Sequence, residues 1–435
     1  MKVKYVIHRP SRAVRPPAFL LVVCLVVASV AIACQQEKEA LAPGSTPAAT
    51  APATPTPAAQ VPGVTDTEII LGSHAMLTGV QAFLVDVIPK AEEAYFRYIN
   101  DTQGGVCGRK IVFNVEDTQG DPARALEVVR KLVDQDHVFA MVGGVGDPAE
   151  AAVWDYLNDK GVPDLFITAS GHRFGADPQG HPWSVQLLPD CRTEGALYGQ
   201  YISENLPGKK VAVLYQNTDL GVDGLAGLKA GLDPEKNQIV AEESYQTTDV
   251  DVRSQVIRMA NTGAEVAVLY TVGGFTAQAF RAADNMGWRP QYFISYVNAS
   301  SLLFTMLPAE VVKGTISQLG VKLASWTDDP AVAKHWEIMR SYGGPTPNDF
   351  TIFGQLVAEM TVEVLNRSCD NLTREGLMDT VLSLKDYSSD MAAPGLTISY
   401  SETDRAGVEA SENFLVMATV ENGQGKWEYL HSQTR

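Results

Sequence analysis

The 435-residue chain is poor in the groupings that covalent catalysis needs. It contains no C-x-x-C pair, no His/Cys cluster at zinc-like spacing, no G-x-S-x-G, no H-E-x-x-H and no phosphate-binding P-loop. Serine hydrolases, zinc proteases and nucleotide triphosphatases therefore have no foothold. His172 and His181 fall in a Gly/Pro/Asp loop and read as solvated or capping groups, so neither a metal nor a cofactor is expected. Positive charge is also scarce. Lys and Arg number 34 against 51 Asp and Glu, a net charge of −17, which argues against nucleic acid or an anionic lipid surface as partner. Long hydrophobic runs are scarcer still. One stands out, Ala18–Ala33, and no later run approaches spanning length.

That run follows Lys2, Lys4, Arg9, Arg12 and Arg15 and ends in Ala31-Ile32-Ala33-Cys34. At about 16 residues it is shorter than the roughly 20 of a spanning helix. A basic start, a short apolar stretch and small residues before a cysteine read as a removable export signal over residues 1–33. The pattern resembles a bacterial lipoprotein signal, which implies lipidation of Cys34 and a membrane-anchored, extracytoplasmic protein. Ala31 stands where that motif usually has Leu, which leaves a plain signal peptide and an uncleaved anchor open. Residues 34–66 are rich in Pro, Ala and Thr with few large apolar groups, a composition that favours an extended tether over a packed core. Removing the leader takes away five basic groups and no acids, leaving −22. Beyond Cys34 only Cys107, Cys191 and Cys369 remain, enough for one disulfide whose pair the sequence does not choose.

From Thr67 onward short β-rich runs alternate with amphipathic helices. Strands are expected at Ile69–Gly72, Ile111–Val115, Val138–Val142, Leu165–Thr168, Val211–Tyr215, Val240–Tyr245, Val266–Tyr270 and Tyr292–Ser295. The runs at Val211 and Val266 are almost wholly apolar, as strands buried on both faces are. Between Pro122 and Val133 apolar residues recur every three or four positions behind a proline suited to a helix start. Such alternation implies an α/β protein of doubly wound parallel sheets. It breaks after Pro308, where a strand-like Gly314–Val321 precedes helices at Pro330–Arg340, Thr351–Asn366 and Thr373–Leu384. The end holds strand-like Leu396–Ser399 and a hairpin at Asn413–Val420 and Lys426–Leu430 around Asn422-Gly423.

Several blocks in order carry a family resemblance. They are Ile70-Leu71-Gly72 into Leu77-Thr78-Gly79, Ile99-Asn100 into Gly104-Gly105-Val106 and Gly108-Arg109-Lys110-Ile111, Glu116–Pro122, Gly161-Val162-Pro163 and Leu372–Glu375. The chain resembles the branched-chain amino acid type of solute-binding protein of ABC transporters, over essentially Thr67–Leu430. The resemblance implies the type I periplasmic fold: two lobes joined by three crossovers, with a ligand trapped in the cleft by hinge closure. On this mapping residues 67–186 and 315–387 form the first lobe, and 187–314 and 388–435 the second. The implied partners are a small-molecule ligand and an ABC permease, with the protein itself a monomer.

The same resemblance nominates a cleft. In the loop Gly143–Pro148, Gly146 and Asp147 stand where amino-acid binders offer hydroxyls and amides to a ligand carboxylate. Asp147 either caps the following helix, or faces the ligand and repels a carboxylate, or supplies the charge for an ammonium. A second loop offers Thr168, Ala169 and Ser170. Phe83 or its neighbour Leu84, Leu220 and Phe275 match positions where relatives place aromatic rings, each equally readable as packing. Around Phe293–Asn298, where amino-acid binders carry a Glu for the α-ammonium, this chain has Tyr296 and Asn298. With Gly180–Trp183 and Tyr215–Asn217, that departure points toward an organic acid, aromatic in some relatives, rather than a standard amino acid. Gly144–Ala149 also fits G-x-G-x-x-A, but on the third strand and behind an export signal, so a dehydrogenase is set aside. The reading is an import receptor and not an enzyme; a ligand-sensing module for a membrane signalling receptor is the alternative.

Overall fold

The computed structural model describes residues 61–79, 82–408 and 411–430; the export signal, Cys34 and all but the end of the tether lie outside the described residues. Two sheets organise what is described. The first contains β1 (Glu68–Ala75), β2 (Lys110–Asp117), β3 (Ala140–Val142), β4 (Asp164–Ile167) and β5 (Ser184–Gln186), all parallel, in the order β2-β1-β3-β4-β5. The second contains β6 (Lys210–Gln216), β7 (Gln238–Tyr245), β8 (Val266–Tyr270), β9 (Gln291–Ile294), β10 (Ile316–Gln318), β11 (Leu415–Glu421) and β12 (Gln424–Tyr429). Its order is β12-β11-β10-β9-β8-β6-β7, parallel except where β11 runs against β10 and β12. The expected all-parallel sheet is thus mixed in the second lobe. β11 and β12 meet at Asn422 and Gly423, both at positive φ (51° and 79°), the backbone a tight hairpin turn requires.

Helices cover both faces of each sheet, and the period of two along the strands explains how. In the first sheet Ala140 and Val142 face the helices Val87–Thr102 and Asp349–Arg367, while Met141 faces Pro122–Asp134 and Asp147–Asp159. In the second, Ala212, Leu214 and Leu269 face Arg253–Asn261 and Gly274–Asn285, while Val211, Val213 and Val268 face Cys191–Asn205 and Asp219–Gly231. Strands apolar on every residue are what a two-faced core demands.

The chain passes between lobes three times, near residues 187–190, 319–324 and 408–414. Two segments lie elsewhere than the sequence mapping put them. Residues 316–318, assigned to the first lobe, form β10 of the second sheet, parallel to β9. Residues 389–408, assigned to the second lobe, pack on the first: Met391, Leu396, Ile398 and Tyr400 are buried in its core. The Tyr400 hydroxyl donates to the Gln186 carbonyl at 2.9 Å, and Gln186 N donates to the Arg405 carbonyl at 2.8 Å. Leu396–Ser399 makes no strand beyond a single bridge between Ile398 and Tyr387, because its side chains are spent on this core. One disulfide joins Cys107 to Cys369 within the first lobe, and Cys191 is a buried free thiol.

Candidate functional site

Between the lobes lies a cavity of about 480 Å³, within the range of small-molecule pockets. Every crossover contributes to it: Leu187 and Leu188 from the first, Gln318 and Leu319 from the second, Val408 and Phe414 flanking the third. The walls are mostly hydrocarbon, with Met76, Ile88, Phe350 and Phe353 from the first lobe and Leu220, Val272 and Val297 from the second.

Two loops that follow β3 and β4 form one wall, zipped together by Thr168 N to the Gly144 carbonyl (2.9 Å) and Gly146 N to the Thr168 carbonyl (3.2 Å). Glycine is obligatory in the first. Gly143 has φ +61° and a Cβ there would stand 2.9 Å from Glu92 Oε1, while one on Gly144 would stand 2.6 Å from His74 Nε2. Gly146, at φ +104°, caps the helix Asp147–Asp159 with backbone alone. Asp147 is the first helical residue and its carboxylate is turned across to the second loop. Ser170 N donates to Oδ1 at 3.0 Å and Ser170 Oγ donates to Oδ2 at 3.0 Å. Burial pushes the Asp147 carboxyl up to about 6, against the pull of these hydrogen bonds.

Behind this wall sits a buried polar cluster. His74 Nε2 and Glu150 Oε2 are 3.1 Å apart, an ion pair by distance alone. Burial drives both toward their neutral forms, lowering His74 to about 4 and raising Glu150 to about 7. Asp164 faces Glu150 and is raised well above its ordinary range, first by burial and then by that neighbour's charge. Glu92, fully buried with neither carboxyl oxygen hydrogen-bonded, is raised by burial too. Among the described residues no group of His, Cys, Asp and Glu is arranged to hold a metal.

Across the cleft Tyr296 opens a short 3-10 turn, Tyr296–Asn298, that follows β9. Glu194 anchors it, accepting from Tyr296 N at 2.7 Å and from the Tyr198 hydroxyl at 2.8 Å. The Tyr296 side chain lines the cavity and its hydroxyl has no hydrogen-bond partner. Asn298 is committed to the fold, accepting from Gly273 N and Thr276 Oγ1 and donating to the Thr271 carbonyl. The geometry therefore brings together Gly146, Asp147, Thr168, Ala169, Ser170, Leu220 and Tyr296 on one cavity. Phe275 is not among its lining residues; it packs behind, its ring centroid 4.4 Å from that of Tyr245 in the second-lobe core. Phe83 lies on the helix Ala82–Val85, and its side chain is outside what the structure describes. Gly180–Trp183 is also away from the cavity, with His181 stacked on Trp154 and bonded to Asp155 and Asp177. Sequence reasoning missed Gln318, the last residue of β10, which borders the cavity where the second crossover begins. Gln318 beside Ser317 on a strand-like segment, Ile316–Val321, was the available signal.

A family model described as periplasmic binding protein matches residues 68–424. The chain belongs to the periplasmic binding protein family. This periplasmic binding protein is 27% identical over 214 residues to Leu/Ile/Val-binding protein homolog 3 of Brucella melitensis, covering 48% of this chain and 55% of that one. It thus spans about half the length of that relative. In structure it is similar to a fatty acid ABC transporter substrate-binding protein from Thermomonospora curvata, with a TM-score of 0.73 and 24% identity over 86% of this chain and 95% of the other. A branched chain amino acid ABC transporter protein from Thermus thermophilus with bound valine gives a TM-score of 0.71 at 17% identity, covering 83% and 94%. Likenesses at these identities establish the two-lobed type I fold. The relatives are solute-binding proteins by name, and no helix among the described residues is long and apolar enough to cross a membrane.

Proposed function

We propose that this chain is the extracytoplasmic solute receptor of an ABC importer, held to a membrane through lipid on Cys34 and acting as a monomer. It takes a small molecule into the cleft, closes its lobes and presents the closed form to a permease. The observation that carries this reading is the cavity itself: a large, mostly apolar space to which both lobes and all three crossovers contribute. Contacts between lobes support closure. Arg173 pairs with Asp219 at 2.8 Å, and Asp349 accepts from Ser301 N at 2.8 Å. The solved relatives carry ligands as different as a fatty acid transporter's cargo and valine in their descriptions, so the fold leaves the ligand to the residues of each cleft. Here an α-amino acid is disfavoured. Glu194, the acid that anchors the Tyr296 turn, accepts bonds from Tyr296 N and Tyr198 and is not among the residues lining the cavity, and Asp147 is held by Ser170.

A thermal-shift panel tests the receptor reading, with branched-chain amino acids, aromatic carboxylates and neutral apolar compounds, each followed by mass spectrometry of the recovered compound. A ligand at about 100 times its Kd adds roughly 2.7 kcal/mol. One class is expected to shift the transition and to be recovered unchanged. Chemical conversion of the compound would make the protein an enzyme, and a flat panel would remove the case for a receptor.

A further inference from the structure

Building on the receptor reading, we propose that the cleft selects an uncharged, mostly hydrocarbon solute whose polar end is read by Gln318 and Tyr296, with Asp147 barring free carboxylates. Three observations converge on it.

First, Gln318 borders the cavity and is only 2% exposed, and its amide nitrogen and oxygen, enclosed in this conformation, have no hydrogen-bond partner among the described residues. The Tyr296 hydroxyl, on the same cavity, is also unpartnered. Buried polar atoms without partners are uncommon in folded proteins, and several on one cavity point to a molecule that completes them. A carboxamide offers two N–H donors and a carbonyl acceptor, a phenol one O–H donor and an acceptor oxygen, and neither carries charge. They match an alcohol, amide or ester.

Second, among the described residues the cavity lining includes no Lys, Arg or His, and its charged side chains are Asp147 and Asp349. A carboxylate brought into this apolar space would meet two like charges and no counter-ion, an arrangement that low local polarity makes costly.

Third, Ser170, which would otherwise offer two donors to an anion on the two-loop wall, is already used within the chain. Ser170 gives both its N–H and its hydroxyl to Asp147. Asp147 is in effect a built-in anion. The same two charges would attract a cationic head, but their oxygens already accept hydrogen bonds, Asp349 from Ser301 N and Ala324 N and Asp147 from Ser170, so an ammonium brought between the hydrocarbon walls loses its water without gaining a free carboxylate partner.

The test is isothermal titration of the purified protein at pH 8 with two matched series: decanoate, decanol, decanamide and decylamine, and benzoate, benzyl alcohol, benzamide and benzylamine. The alcohol or amide of one series is expected to bind at least about tenfold tighter than its carboxylate and its amine. Gln318→Leu, of similar volume and without the amide, should abolish that advantage while the thermal transition is retained. Asp147→Ser frees the Ser170 donors and should tighten the carboxylate by about tenfold or more. A wild-type preference for the carboxylate or the amine overturns the inference and leaves the receptor reading standing, as does a Gln318→Leu protein with unchanged selectivity. Binding of none of the eight compounds removes the apolar receptor reading, and the inference falls with it.

Discussion

Asp147 is joined by Glu92, Glu150, Asp164, Glu194, Asp349 and Glu359 as carboxyls that burial, their largest influence, shifts upward. A buried carboxyl of this kind holds its proton more tightly folded than unfolded. Its contribution to stability is therefore largest in mild acid and is lost as pH rises, between 3.8 and about 6 for Asp147 and between 4.5 and about 7 for Glu150 and Glu194. His74 and His335, lowered by burial to about 4, act the other way and gain stability as pH rises toward 6.5. The acids outnumber the imidazoles, so Tm should fall by several degrees between pH 5 and pH 8 in a thermal scan. Asp164→Asn, which cannot ionise, should flatten that fall; an unchanged profile would mean that the cluster does not titrate there. Little of this was legible in the sequence, because a carboxylate on a strand or helix looks the same whether it faces water or the core. Asp147 is the instructive case. Its place beside a glycine and a proline fitted a helix cap, yet the partner it chose is Ser170, on another loop.

Elements were more legible than residues. β8 and the helix starting at Pro122 lie where the apolar runs and spacing put them, since burial on both sheet faces or along one helix stripe leaves a periodic record. β5, three residues long, left no such record. The packing of the helices Cys191–Asn205 and Asp219–Gly231 was visible only as scattered glycines. A Cβ on Gly227 would come within 2.0 Å of the Arg192 carbonyl oxygen, and one on Gly231 within 2.0 Å of the Ala196 carbonyl oxygen. The two backbones touch, so Gly227→Ala must push them apart. Overpacking of this kind costs about 1–3 kcal/mol, and a urea titration should show the midpoint falling accordingly. Because Leu220 rides on the second of these helices and lines the cleft, affinity for any cleft ligand should weaken as well.

At the scale of the whole molecule the two lobes were implied by the family resemblance, while the exchange of segments between them was not. Strand-like composition in Leu396–Ser399 is real, but burial of Leu396 and Ile398 and the contacts of the next residue, Tyr400, with Phe166 and Gln186 place it against the first lobe without a ladder. The Cys107–Cys369 disulfide closes a span of 262 residues that contains the second lobe's main body. Replacing both cysteines with serine should cost about 3 kcal/mol, read as a lower urea midpoint under oxidising conditions. The proposed lipid anchor predicts that Cys34→Ser moves the protein from the membrane fraction to the soluble extracytoplasmic fraction, seen by fractionation and blotting.

The threading of the chain also dictates an order of assembly. A polypeptide exported from its N-terminus delivers β1–β5 first, yet Met391, Leu396 and Tyr400, which fill the first lobe's core, emerge about two hundred residues after β5. The second lobe likewise waits for β11 and β12, near the end of the described chain. Neither half can be completed while translocation is under way, and Cys107 must remain an open thiol until Cys369 arrives. If the chain is exported as proposed, completion of both lobes is a late event, and the disulfide then adds stability to a fold that is already whole.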